Sequence, residues 1–324
     1  MAERRTEHIL LDCDPGMGLP WSDVDDNLAL LMALGSAELQ LDLVSVVAGN
    51  VPAPAGHESL EVLFDHLERE VPIALGATQP LYKPYSSGQE NIRAAAERRG
   101  ASLSFEGLFE PPTQQPAARH ALSEQIRILE ASPRPVTIVA VGPLTNIAVL
   151  LDHRPDLAER IERIVIMGGA VEVGGNVTSE AEFNVWCDPH AADVVLSSAV
   201  ETVLVPLDVT QRVSLGSDAF RDALADAGSE ETRDYLIRSI EGWAEAHRAM
   251  AGSEAFHPHD PLAMAYVIDP SLFDTRRMNL RVHTGTGETY GEYEDEGRTL
   301  VCFDVDSERF RRLFFDRLRS APYA

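Results

Sequence analysis

Six short runs rich in Val, Ile and Leu lie at residues 9–12, 43–48, 72–75, 136–141, 163–167 and 202–205. Segments with helical patterning separate them, at 26–34, 58–69, 118–131, 145–151, 189–197 and 231–250. Runs so short and so uniformly apolar suit strands covered on both faces, and their alternation with helices favours a parallel sheet with crossover helices. We therefore expect an α/β fold with one domain over residues 1–324, a mostly parallel central sheet flanked by helices, and a small antiparallel C-terminal addition. The last expectation comes from residues 279–304, which alternate in the β manner. The stretch 86–104 is polar and weakly patterned, and reads as a mobile surface segment.

Charge removes several classes of partner. The 324 residues carry 27 Lys and Arg against 52 Asp and Glu, a formal net charge of −25. A field of that sign repels nucleic acid and anionic lipid, so neither is expected as a partner. No apolar stretch reaches the ~18–20 residues of a membrane span. The apolar-centred run at 9–13 is too short for the core of a signal peptide. Cys13, Cys187 and Cys302 are widely spaced with no C-x-x-C pair, which fits a reducing cytoplasm. Lys83 is the only lysine, which weakens any scheme that needs a Schiff-base or phosphate-binding lysine.

Gly- and Pro-rich breaks at Asp14-Pro15-Gly16, Gly49-Asn50, Gly142-Pro143 and Gly168-Gly169 fall where strands end, and the carboxyl ends of parallel strands form the ligand crevice. After the first strand, Asp12-Cys13-Asp14 is followed by Asp23-Val24-Asp25-Asp26 at the start of a helix, which brings up to four carboxylates to one sheet edge. Two unit charges ~4 Å apart repel by roughly 4 kcal/mol at an effective dielectric near 20, so such a cluster is protonated, splayed apart or neutralised by a cation. Oxygen-only ligation suits calcium or magnesium better than zinc.

Two other readings stand beside this one. Asp25 and Asp26 also serve as first-turn acids favoured by the helix dipole, with Asp14-Pro15-Gly16 a simple turn. An Asp-x-Asp after a strand also opens haloacid-dehalogenase-type phosphohydrolases, which would make Asp12 a nucleophile beside magnesium, although Lys83 sits in an unsuitable Pro-flanked context. Farther on, carbonyls near Val141 can complete an oxygen shell. Asn176, Glu182 and Asn184 share a loop suited to sugar hydroxyls, and Asp260 would cap a helix with His259 beside it as a proton donor near neutral pH.

Seven segments in order carry a resemblance to a known family. They are Asp12-Cys13-Asp14-Pro15-Gly16 with Asp25-Asp26; Val47-Ala48-Gly49-Asn50-Val51; Val141-Gly142-Pro143-Leu144-Thr145-Asn146-Ile147-Ala148; Met167-Gly168-Gly169-Ala170; Glu182-Phe183-Asn184 with Asp188-Pro189; Val205-Pro206-Leu207-Asp208-Val209-Thr210; and His259-Asp260-Pro261-Leu262-Ala263. Together they resemble the inosine-uridine nucleoside N-ribohydrolase family over nearly the whole chain. Each is weak alone, but seven in register are specific.

The resemblance implies calcium-dependent hydrolysis of the N-glycosidic bond of ribonucleosides to free base and ribose. It implies one calcium ion on Asp14, Asp26, Asp260 and the carbonyl of Val141, with Asp14 as general base towards the attacking water. Asp25, Asn50, Asn176, Glu182 and Asn184 would hold the ribose, Met167 and Phe183 would shape the pocket, and His259 would be the acid towards the departing base. The transition state is expected to be oxocarbenium-like. Kinship also implies a homo-oligomer, a dimer or tetramer, acting on a small-molecule nucleoside. A non-catalytic nucleoside or calcium sensor on the same fold is the rival from a different class.

The chain departs from the family pattern in three places. A single residue usually separates Asp-Pro-Gly from the Asp-Asp pair, whereas residues 17–24 intervene here. This extra loop, with Gly18, Pro20 and Trp21, either narrows the pocket and offers the base a stacking surface or bulges outward without effect. Asp23 competes for the place of Asp25 or Asp26, which are preferred because they directly precede the helix. Where many members carry a His-Gly pair ahead of Gly-Leu, this chain has Ser87-Gly88-Gln89-Glu90 and Glu106-Gly107-Leu108 without a histidine. Tyr290 stands where a basic residue is common, so base preference is left open.

Overall fold

The computed structural model describes residues 6–100, 119–252 and 256–323. In chain order its elements are β1 (Glu7–Cys13), α1 (Asp25–Leu34), β2 (Leu39–Val46), α2 (Ala53–His66), β3 (Ile73–Leu75), α3 (Gly88–Arg98), β4 (Arg119–His120), α4 (Ala121–Ala131), β5 (Val136–Ala140), α5 (Thr145–His153) and β6 (Ile161–Met167). There follow α6 (Phe183–Cys187), α7 (Pro189–Leu196), β7 (Thr202–Val205), α8 (Leu207–Thr210), α9 (Asp218–Ala223), α10 (Glu230–Ala251), α11 (His259–Ile268), β8 (Phe273–His283), β9 (Glu288–Tyr293), β10 (Thr299–Val305) and α12 (Ser307–Ser320). The strands form one sheet ordered β4-β3-β2-β1-β5-β6-β7-β10-β8-β9.

Both faces of the central strands are covered. Ile9 and Leu11 of β1 pack into one layer with Leu28 and Leu31 of α1, Leu262 of α11, and Phe310, Phe314 and Leu318 of α12. Leu10 faces the opposite layer with Ile138 of β5, Ile147 and Leu150 of α5, and Val195 of α7. Burial on both sides is why these strands read as unbroken apolar runs. Pairing is parallel from β4 to β10, and β8 and β9 add antiparallel strands at the far edge. The antiparallel addition begins at Phe273, six residues before the alternation suggested, and its last strand β10 also pairs parallel with β7.

The stretch 86–104 differs from its expected form, since residues 88–98 are the helix α3. Ala94-Ala95-Ala96 is a strong helix-forming run, and only Gly88 and Ala96 of α3 are buried, so the helix forms with little apolar periodicity to announce it. Residues 101–104 lie outside the described residues. Among the described residues no helix is long and apolar enough to cross a membrane.

Candidate active site

Strand order reverses between β1 and β5: the chain moves outward through β2 and β3 on one side, and through β6 and β7 on the other. In open parallel sheets that reversal opens a crevice at the carboxyl ends of the strands. Asp12 pairs with Ala140 across it, which sets Asp14 beside the turn at Val141 and Gly142. A cavity of about 630 Å³ opens there. It is lined by ten of the twelve expected site residues: Asp25, Asn50, Val141, Met167, Asn176, Glu182, Phe183, Asn184, His259 and Asp260.

Asp14 and Asp26, the other two, lie behind this wall. The Asp14 backbone amide donates to Asp26 Oδ1 at 2.9 Å, and the Asn50 amide donates to Asp14 Oδ2 at 2.5 Å. The Asn50 side-chain nitrogen donates to Asp26 Oδ2 at 3.3 Å. Asp14 Oδ1 is buried and has no partner among the described residues. Glycines make room for this carboxylate, since a Cβ at Gly49 would stand 2.0 Å from Asp14 Oδ2 and one at Gly142 would stand 2.8 Å from Oδ1.

The helices α1 and α11 start at the cavity and pack on each other behind it, so Asp25, Asp26 and Asp260 lie where the helix dipoles favour negative charge. Asp260 does not cap α11 with its side chain as expected. Pro258 holds the cap position, and the Asp260 backbone amide donates to Asp25 Oδ2 at 3.2 Å. With the cap position occupied by its neighbour, the Asp260 carboxyl is left to face the cavity.

His259 Nδ1 lies 2.7 Å from the Thr210 hydroxyl. Burial, with His257 and His247 nearby, pushes its pKa down to about 3. The ring is therefore neutral at physiological pH, and the protonated donor expected from the sequence is disfavoured by desolvation.

The loop after β6 forms the facing wall. Glu182 spends its carboxylate on backbone amides, with Oε1 accepting from Asn184 and Oε2 from Gly169 and Val185, so it caps α6 as well as lining the cavity. The side-chain oxygen of Asn176 accepts the Phe183 amide at 2.9 Å. Asn184 donates to the carbonyls of Val141 at 2.7 Å and Met167 at 3.3 Å, which links this wall to the ends of β5 and β6. Two motif acids outside the cavity hold the frame. Asp188 caps α7 and accepts from Thr145 and Leu81, and Asp208 accepts the amides of Val171 and Glu172.

The extra loop is folded into the protein. Met17 is fully buried: its amide donates to Asn27 Oδ1, and its carbonyl accepts from Ser59 and Tyr235. The Gln89 side chain on α3 donates to the Pro20 carbonyl. Trp21 packs at the edge of the core and is not among the cavity-lining residues, so it supplies no stacking surface there. Asp23 does line the cavity, and its Oδ1 accepts the Val24 and Asp25 amides at 2.6 and 2.9 Å. Asp12, the nucleophile of the phosphohydrolase reading, is fully buried outside the cavity wall and accepts from Ser45, Asn146 and Gln125. Of the remaining departures, Tyr290 is a half-exposed residue of β9 away from the cavity, and Glu106-Gly107-Leu108 lies outside the described residues.

The acids are held in an unfavourable state by their own proximity. Burial first, then neighbouring carboxylates, push Asp14, Asp25 and Asp260 well above the ordinary range, and Asp26 is pushed up to about 7. No Arg or Lys among the described residues pairs with any of the four. Among the described residues no group of three or more His, Cys, Asp or Glu side chains is placed to hold a metal ion by itself. The donor set is nevertheless all oxygen, and Asp14 Oδ1 and Asp25 Oδ1 are buried without partners among the described residues. Those features fit a hard divalent cation that takes several further oxygens from carbonyls, water or substrate.

Fold and site together define an α/β protein whose sheet switch point gathers acids and amides around a cavity of small-molecule size. A sequence model of the inosine-uridine preferring nucleoside hydrolase family matches residues 9–312. The chain is 34% identical to the pyrimidine-specific ribonucleoside hydrolase RihA of Enterobacter sp. (strain 638), over 96% of this chain and 97% of that protein. It is also 34% identical to the non-specific ribonucleoside hydrolase RihC of Klebsiella pneumoniae (strain 342), over 97% and 99% of the two chains. Among solved structures, the purine-preferring ribonucleoside hydrolase from Gardnerella vaginalis superposes with a TM-score of 0.83 at 28% identity, covering 98% of this chain and 99% of that one. The chain belongs to the inosine-uridine preferring nucleoside hydrolase family. It is a metal-dependent hydrolase of N-glycosyl compounds.

Proposed function

We propose that this enzyme hydrolyses the N-glycosidic bond of ribonucleosides with calcium as its metal, and that Asp14, Asp26, Asp260 and the Val141 carbonyl hold the ion. The observation that carries this reading is the buried group of carboxylates from three separate segments of the chain, with an Asp14 oxygen that has no partner, and no basic side chain to offset the charge, among the described residues. Bound calcium would supply the positive charge that lets these acids ionise together, and would make a water ligand more acidic.

The chain's own groups then divide the work. Asp14 takes a proton from the attacking water as that water approaches the anomeric carbon. Asp25 and Asn50 on one wall, with Asn176, Glu182 and Asn184 on the other, orient the ribose, and the surrounding negative charge favours the positive charge that builds on the sugar ring. Met167 and Phe183 exclude water beside the ring. His259, neutral, faces the departing base as a hydrogen-bonding partner. The three buried free cysteines fit a reducing cytoplasm, and self-association as a dimer or tetramer belongs to the same proposal.

The test is release of reducing sugar from a panel of purine and pyrimidine ribonucleosides, assayed with calcium and with a chelator. Calcium-dependent release by the wild type, abolished in Asp14→Ala, is expected. Equal turnover with and without calcium would reject the metal assignment, and cleavage of a phosphate ester without ribose release would favour the phosphohydrolase.

A further inference from the structure

The cavity is longer than the ribose site just described. Its outer part runs between two helices: Asn91, Ala95 and Arg98 form one stripe on α3, and Trp243, His247 and Met250 form the facing stripe on α10. α3 starts on the ribose floor, where its first amides, those of Gly88 and Gln89, donate to the carbonyls of Gly49 and Asn50 at 3.0 and 2.8 Å. Ten residues on, Arg98 lies about 15 Å farther out along the helix axis. Side chains of a helix lean towards its N-terminus, the end of α3 at the ribose floor, and Arg98 lines the cavity from its outer end.

Arg98 is the only Lys or Arg among the described residues that line the cavity, against four acids at the ribose end, Asp23, Asp25, Glu182 and Asp260. It is exposed and has no ion-pair or hydrogen-bond partner among the described residues, in a chain where acids outnumber basic residues almost two to one. The same-sign acids make the ribose end hostile to a phosphate. The positive charge at the outer end suits acceptor atoms on the substrate's far edge.

Resting on the nucleoside hydrolase reading, we propose that Arg98 is a specificity-determining residue that selects 6-oxopurine nucleosides by donating two hydrogen bonds to the O6 and N7 acceptors of the base. A guanidinium fork matches that acceptor pair. Adenine places a donor where O6 would be, and a pyrimidine ring attached to the same ribose reaches less far along the stripe. The same contact lies at the edge that gains negative charge as the base departs.

The experiment compares kcat/KM for inosine, guanosine, adenosine, uridine and p-nitrophenyl riboside in the wild type, Arg98→Ala and Arg98→Lys, together with product inhibition by hypoxanthine and adenine. The wild type should favour inosine over adenosine by about 10- to 100-fold. Arg98→Ala should collapse that ratio towards one and weaken inhibition by hypoxanthine but not by adenine, and Arg98→Lys should restore part of both. A wild type that prefers adenosine or uridine to inosine, or an inosine-to-adenosine ratio unchanged within about twofold in Arg98→Ala, overturns the assignment while leaving the hydrolase reading intact. Failure of the wild type to cleave every nucleoside and the p-nitrophenyl riboside overturns both.

Discussion

The backbone amide of Asp14 donates to Asp26 Oδ1 across 2.9 Å, so the end of β1 and the first turn of α1 are joined through two of the acids themselves. The eleven positions between them accommodate the extra loop without separating the two residues. Because Asn50 bonds to both carboxylates, the ends of β1 and β2 and the start of α1 form one unit around the unpartnered Asp14 oxygen.

Asp14→Asn keeps the shape and the accepted Asn50 bond but removes the base. We expect kcat for a nucleoside to fall by about 10²–10⁴-fold with KM changed far less, as a general base contributes. Steady-state kinetics reads this directly, and an Asp14→Asn enzyme within about threefold of the wild type would exclude Asp14 as the base.

Metal-free protein should lose stability as pH rises. Asp26 and Asp12 keep their protons to about pH 7 in the folded state, whereas they ionise near pH 4 when unfolded. Stability from this source is therefore fully present below about pH 4 and is lost as pH climbs to 7, at about 1.4 kcal/mol per pH unit for each such group. Urea melts of the chelated enzyme at pH 5, 6 and 7 should show the decline. Calcium should raise the melting temperature far more at pH 7.5 than at pH 5, and an equal rise at both would contradict the account.

Gly49→Ala would push a methyl group into Asp14 Oδ2. Overpacking of this kind costs about 1–3 kcal/mol. Denaturant unfolding should show that loss together with weakened calcium binding, because the carboxylate itself must move. Retained stability and affinity would show that the floor is looser than its contacts suggest.

The pH profile separates His259 from the acids. With its pKa near 3, this imidazole carries no charge across the working range. His259→Ala should lower kcat by removing a neutral hydrogen-bonding group, yet leave the position of the acid limb unchanged. A limb that vanishes in His259→Ala would assign it to the histidine instead.

The central strands were legible because both their faces are buried, leaving short uniform runs such as Val136–Ala140. The acids were legible because charge at strand ends is conspicuous in an apolar context. α3 was hidden because the side it turns to the cavity mixes Asn91 and Arg98 with Ile92 and small alanines, which leaves only a weak hydrophobic period, although the spacing of Asn91 and Arg98 was the signal that could have found them. α12 carries a visible i, i+4, i+8 pattern in Phe310, Phe314 and Leu318, which the alternating-strand reading did not include. The place of Asp260 before an apolar helix suggests a cap, and only the fold reveals that its amide bonds to Asp25, more than two hundred residues away. Glu182 likewise carries a capping role that its loop context did not disclose.

Calcium titration by isothermal calorimetry at pH 7.5, on the chelated wild type and on Asp14→Ala, Asp26→Ala and Asp260→Ala, tests the convergence of these acids most directly. The account predicts a single ion per wild-type chain and a large loss of affinity in each variant. Absence of binding to the wild type, or affinity unchanged when Asp26 or Asp260 is removed, would contradict it.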